Sequence, residues 1–202
     1  MINEYADMRQ HGTHEAKEAV PEYKRYTYAD YCTWGDDERW ELIDGVPYAM
    51  APAPFVGHQS VSAAVFGQLY VFLQGKPCKV LAAPIDVRLN ADEGDDTVLQ
   101  PDIIVVCDKS KLKDKRSVIG VPDMIVEILS PSSIRHDRVV KFKKYKHAGV
   151  REYWIIDPDS KIVSVHVLQR GEYMTHSYTE EESVPVGVLE GCTINLPEVF
   201  AE

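Results

Sequence analysis

Met124-Ile125-Val126-Glu127-Ile128-Leu129 is an apolar run interrupted by one carboxylate. Its length and its two apolar faces predict a strand in the middle of a sheet. Side chains alternate along a strand, so Glu127 shares its face with Ile125 and Leu129. An unpaired carboxylate there is costly, so Glu127 must meet a buried Lys or Arg, a hydrogen-bond donor or a metal ion. Upstream, Gln100-Pro101-Asp102-Ile103-Ile104-Val105-Val106 sets a second carboxylate at the mouth of another buried strand. Pro101 restricts φ and withholds a donor where the ladder begins. Alone, Asp102 reads as a turn residue. Two such carboxylates on adjacent strands repel each other unless a hard cation lies between them. Mg²⁺ suits one or two carboxylates completed by phosphate oxygens and water.

Outward from that strand, Ser130-Pro131-Ser132-Ser133 punctuates the chain and supplies a cap for a helix over 134–147. Gly149 ends this helix in the left-handed conformation. Asp137, Lys141, Tyr145 and Ala148 fall on one of its faces. Strands are predicted over 152–156, 162–168 and 172–178, and before the central strand over 80–82, 85–89 and 103–107. Val61, Val65, Leu69 and Phe72 recur at helical spacing, which predicts an amphipathic helix from His58 to Leu73. Asp44-Gly45, between the apolar flanks of 40–48, is a hairpin turn signal. Tyr26 to Tyr31 starts a short helix capped by Thr27. Residues 1–21 are polar and aperiodic and read as a flexible tail, leaving 22–202 as one α/β domain, a mixed sheet flanked by two main helices with β-hairpin additions.

A chain of 202 residues with 45% hydrophobic content suits one such domain. No apolar run nears the roughly 20 residues of a membrane helix. Met1 to Ala19 lacks the apolar stretch of an export signal. Cys32, Cys78, Cys107 and Cys192 form no CxxC pair, which points to reduced thiols and a cytoplasmic location. The net charge of −10 counts against general nucleic-acid binding. Against that, Lys109–Arg116 carries five basic residues and Arg135–Lys146 six, half of the chain's 22. Each run reads either as a solvated face or as a local positive patch. Asp86, between Ile85 and Val87, is a second-tier metal ligand or a lysine partner. His58 is a cap, a substrate contact or without role. Tyr153 and Trp154 read as core rather than as a platform for bases.

Pro101-Asp102 followed by an apolar strand bearing Glu127 resembles the PD-(D/E)xK nuclease superfamily. The surrounding text is similar to its branch of restriction-endonuclease-like proteins: Glu41-Leu42-Ile43-Asp44-Gly45, Val126-Glu127-Ile128-Leu129-Ser130-Pro131-Ser132, then Asp137, Lys141, Tyr145, Gly149-Val150 and Glu152-Tyr153-Trp154-Ile155-Ile156-Asp157-Pro158. The resemblance runs from about Tyr26 to the C-terminus and implies a restriction-endonuclease-like fold. It also implies a divalent-metal-dependent endonuclease acting on nucleic acid, DNA above all. Asp102 and Glu127, with Glu41 and the Ile128 carbonyl, are then the expected Mg²⁺ or Mn²⁺ ligands. The motif's lysine belongs two residues after the glutamate, where this chain has Leu129. In this branch it migrates to the following helix, which makes Lys141 the expected third catalytic residue and Lys144 its reserve. Lys141 can instead simply pair with Asp137 one turn away, and Glu41 can be a hairpin salt bridge. A duplex cutter needs two active sites, hence a homodimer. The rival expectation is a nuclease fold kept as a nucleic-acid or protein binding module with its chemistry lost; Leu129 and the acidic charge favour it.

Overall fold

The computed structural model describes residues 24–35, 39–50 and 55–201. A six-stranded sheet forms the centre: β3 (Lys79–Ala82), β6 (Ile103–Val106), β8 (Met124–Ile128), β9 (Glu152–Asp157), β10 (Ile162–Gln169) and β11 (Glu172–Thr179). They lie in the order β11-β10-β9-β8-β6-β3. Only β8 and β9 run parallel, and the long helical crossover between them is what a parallel pair requires. Alternation sorts the side chains. Ile103, Val105, Val126, Ile128, Trp154 and Ile156 face one layer, packed by Val61, Val65, Leu69 and Leu73 of α2 (Val56–Leu73). Ile104, Val106, Ile125, Tyr153 and Ile155 face the other, where Tyr145 of α3 (Phe142–Ala148) packs. Two helices on opposite faces of a mixed sheet match the α/β class expected from the sequence.

A second sheet closes the α3 side. Its order is β2-β1-β5-β4-β7, from β1 (Trp40–Ile43), β2 (Val46–Ala49), β4 (Asp86–Arg88), β5 (Val98–Leu99) and β7 (Ser117–Ile119). Asp44 and Gly45 both adopt positive φ, 51° and 74°, as a two-residue hairpin turn demands. Thr27 and Asp30 form a reciprocal capping box at α1 (Tyr28–Tyr31). A third ribbon, β12 (Ser183–Pro185) with β13 (Thr193–Asn195), and α4 (Leu196–Val199) cover the α2 layer. The proposed tail over 1–21 lies outside the described residues. Among the described residues no helix is long and apolar enough to cross a membrane.

Two expectations need correction. The sequence predicts one regular helix over 134–147, but its first part, His136–Lys141, is a π turn that leads into α3. There the Phe142 N–H reaches back to the Asp137 carbonyl, one residue further than an α-helix allows. The thiols also differ, because Cys78 and Cys107 form a disulfide. They lie just beyond the Lys79↔Val106 pair of the β3–β6 ladder, so strand pairing joins two cysteines that look unrelated along the chain. Among the described residues Cys32 and Cys192 are free, Cys192 buried.

Candidate active site

The register of β6 against β8 pairs Ile103 with Val126, which puts Asp102 and Glu127 opposite each other on one face, at the end of the sheet where β6 begins. Asp102 is pinned there. Its Oδ2 accepts from the Ile128 N–H at 2.8 Å, and its carbonyl accepts from the Ala83 N–H at 2.8 Å. Glu127, 3% exposed, is reached from α3 and the π turn. Lys141 Nζ donates to its Oε1 at 3.0 Å and the Tyr145 hydroxyl donates to the same oxygen at 2.8 Å. The face shared by Asp137, Lys141 and Tyr145 is therefore the one turned to the sheet. Lys141 also pairs with Glu41 Oε1 at 2.9 Å and with Asp137 Oδ1 at 3.5 Å. Lys144, the reserve, pairs with Asp44 at the surface.

Glu41 arrives from the second sheet. Its Oε1 accepts from the Gln100 N–H at 2.9 Å, and its Oε2 lies 3.2 Å from His136 Nε2. Asp86, considered as a ligand, lies apart from this group. Its Oδ1 accepts from the Tyr31 hydroxyl and the Gln100 amide, both at 3.0 Å. Tyr153 and Trp154 are fully buried; the Trp154 indole donates to Glu152 Oε1 at 2.7 Å.

Three carboxylates, Glu41, Glu127 and Asp137, thus meet one ammonium, with Asp102 opposite Glu127, and charge is shared unequally among them. Burial pushes Glu127 well above the usual carboxylate range; Lys141 opposes this, while Asp137, Asp102 and Glu41 add to it. Glu41 is just as buried, yet its pKa falls to about 2, because the Lys141 charge, His136 and the Gln100 amide together outweigh burial. The same ammonium cannot satisfy both, and Glu41 has the additional donors. Burial and the neighbouring carboxylates push both Glu127 and Asp137 up. For Lys141 burial works against charge, but Glu127, Glu41 and Asp137 prevail and hold it cationic.

Two histidines join the site: His58, read from sequence as a cap, a substrate contact or without role, and His136, which the sequence does not mark. His58 Nε2 lies 3.3 Å from Asp102 Oδ2, and its Nδ1 is buried with no hydrogen-bond partner among the described residues. Burial lowers the His58 pKa, but the hydrogen bond and charge of Asp102 reverse that and raise it. His136 opens the π turn beside Asp137, off the face that ordinary helical spacing would mark. Both line a cleft of about 820 Å³ together with Glu41, Asp102, Glu127 and Lys141.

The chain matches, over residues 21–197, the family described as "Uma2: Putative restriction endonuclease". It is 26% identical over 155 residues to an uncharacterized protein of Synechocystis sp., covering 74% of this chain and 78% of that one. Its fold resembles the crystal structure of a "putative nuclease" from Anabaena variabilis, with a TM-score of 0.70 at 19% identity, over 87% of this chain and 98% of that one. A match spanning nearly the whole described domain, on a sheet of the same architecture, makes this chain a member of the Uma2 family with a restriction-endonuclease-like fold.

Proposed function

We propose that this protein is a divalent-metal-dependent endonuclease that hydrolyses the phosphodiester bonds of nucleic acid, DNA in the first place. The observation that carries this reading is the cross-strand pair Asp102–Glu127 with the Lys141 ammonium on Glu127. The donor set fits a hard cation, since it is all oxygen and carries more negative charge than Lys141 neutralises. Among the described residues no three side chains form a ready-made metal cage. An ion here would therefore rest on Asp102 and Glu127, with the remaining positions filled by water and phosphate. When bound, Mg²⁺ or Mn²⁺ would polarise the scissile phosphate and ease deprotonation of water.

The chain's own residues supply the rest. Asp102, held by the Ile128 amide, keeps one oxygen fixed toward the cleft. Lys141, locked by three carboxylates, offers a fixed positive charge for the phosphorus centre as negative charge builds there. Tyr145 and Asp137 orient Glu127 and Lys141. A duplex substrate would require two such clefts, which a homodimer would provide, and the substrate would be met in the cytoplasm. The rival reading is a binding module, favoured by Leu129 at the motif's lysine position and by the two donors, Lys141 and Tyr145, that already hold Glu127 Oε1. Plasmid, single-stranded DNA and RNA incubated with Mn²⁺ or with chelator, beside Glu127→Gln, test the two. Cleavage that needs metal and disappears in Glu127→Gln is expected. Binding without cleavage would select the module, and cleavage surviving the substitution would remove Glu127 from the mechanism.

A further inference from the structure

Resting on the nuclease reading, we infer that the cleft takes a single strand of nucleic acid, gripped by base stacking on Tyr48 and Phe55. Both residues line the cleft that holds Asp102 and Glu127, and they come from different elements, β2 and the start of α2. Tyr48 is 37% exposed and Phe55 75% exposed, whereas Trp154, Tyr153 and Tyr145 are fully buried. The two rings thus leave aromatic faces open to the cleft, where a base can cover them. The Tyr48 ring also lies against His136, with centroids 5.2 Å apart and planes tilted by 49°, so one wall carries two neighbouring rings rather than a single side chain.

Charge bears on the duplex first. A duplex held from outside needs a broad basic surface, because phosphate contacts supply its affinity. Four of the six basic residues in the run 135–146 are already paired with carboxylates. Arg138 pairs with Asp157, Lys141 with Glu41 and Glu127, Lys144 with Asp44 and Lys146 with Glu172. Within the cleft Arg39 donates both Nε and a terminal nitrogen to Gln100 Oε1. The chain's net charge is −10. Stacking adds affinity for any base sequence beside the phosphate contacts that a single strand also makes. A cleft of about 820 Å³ also lies in the range that encloses a small ligand. A short stretch of one strand enters such a space, whereas a duplex stays outside it.

The test is fluorescence anisotropy with a short labelled DNA strand, the same strand as RNA, and the duplex, each in Ca²⁺. The full chain is compared with Tyr48→Ala, Phe55→Ala and Phe55→Trp. Single strands are expected to bind at least about tenfold more tightly than the duplex. Each alanine should weaken single-strand binding by roughly five- to hundredfold, and Phe55→Trp should restore it. The tighter of the DNA and RNA arms names the source. Equal or tighter duplex binding, or alanine variants that bind like the parent, would overturn the inference. Single-strand binding with no cleavage in Mn²⁺ would retire the nuclease reading and leave this one standing. Duplex cleavage indifferent to Tyr48 and Phe55 would do the opposite.

Discussion

Lys141 is the residue on which the buried charges depend. Its ammonium is 5% exposed and meets Glu41, Glu127 and Asp137. Lys141→Met would leave these carboxylates without their cation. Breaking a buried pair from one side costs on the order of 3–5 kcal/mol, so a loss of about that size is expected at neutral pH in urea denaturation. Part of it should return on adding Mn²⁺; a variant as stable as the parent would mean the cluster is less coupled than its distances imply. Glu41 gives the pH dependence. Its folded pKa of about 2 lies below the ordinary 4.5, so its contribution is complete above pH 4.5 and is lost as pH falls toward 2. Glu41→Gln should therefore be less stable than the parent at pH 7, with the gap closing in acid; a pH-independent gap would contradict this. Asp102, Glu127 and Lys141 were legible because a carboxylate in an apolar strand and a lysine on a marked helix face are local patterns. His136 was not, and His58 stayed open between cap, substrate contact and no role, since each meets a neighbour far along the chain, Glu41 and Asp102.

Long periodic elements announce themselves. Helix α2 and strands β8, β9, β10 and β11 lie within two residues of where apolar spacing and Gly or Pro punctuation place them. In the second sheet the 40–48 hairpin and the strand over 85–89 are also read from sequence, but β5 has two residues and β7 three, too few to show any period. Glu41 consequently reads as a hairpin residue although β1 carries it across to Lys141. The π turn is equally silent, and it lies at Asp137–Lys141, inside the candidate site, where such widened turns tend to occur. The β3–β6 pairing yields its own expectation. Thiol titration of unreduced, denatured protein should find two free cysteines, Cys32 and Cys192, of the chain's four. Reduction of Cys78–Cys107 should lower stability by about 2–4 kcal/mol. Four free thiols, or reduction without effect on the urea midpoint, would show that strand pairing alone holds this edge.

Across the whole molecule, two helices secure opposite faces of one sheet, and the acidic cluster lies at the end of that sheet where β6 begins. The net charge of −10 reads from sequence as a case against nucleic acid. In the fold part of that acidity is concentrated at Glu41, Asp102, Glu127 and Asp137, where a cation rather than a phosphate is the first thing attracted. Thermal melts of the parent and Glu127→Gln, each in chelator and in Mn²⁺, measure whether that attraction is real. Glu127→Gln removes one charge from a crowded site, while Lys141 keeps Glu41 and Asp137, and the Tyr145 hydroxyl still has an amide oxygen to donate to. Without metal the variant should be at least as stable as the parent. With Mn²⁺ at about 100 times its dissociation constant the parent should gain roughly 2.7 kcal/mol, seen as a higher Tm, and the variant little. A destabilised variant together with a parent whose Tm ignores Mn²⁺ would mean that Glu127 serves only to anchor Lys141, and would contradict the metal site on which the proposed hydrolysis rests.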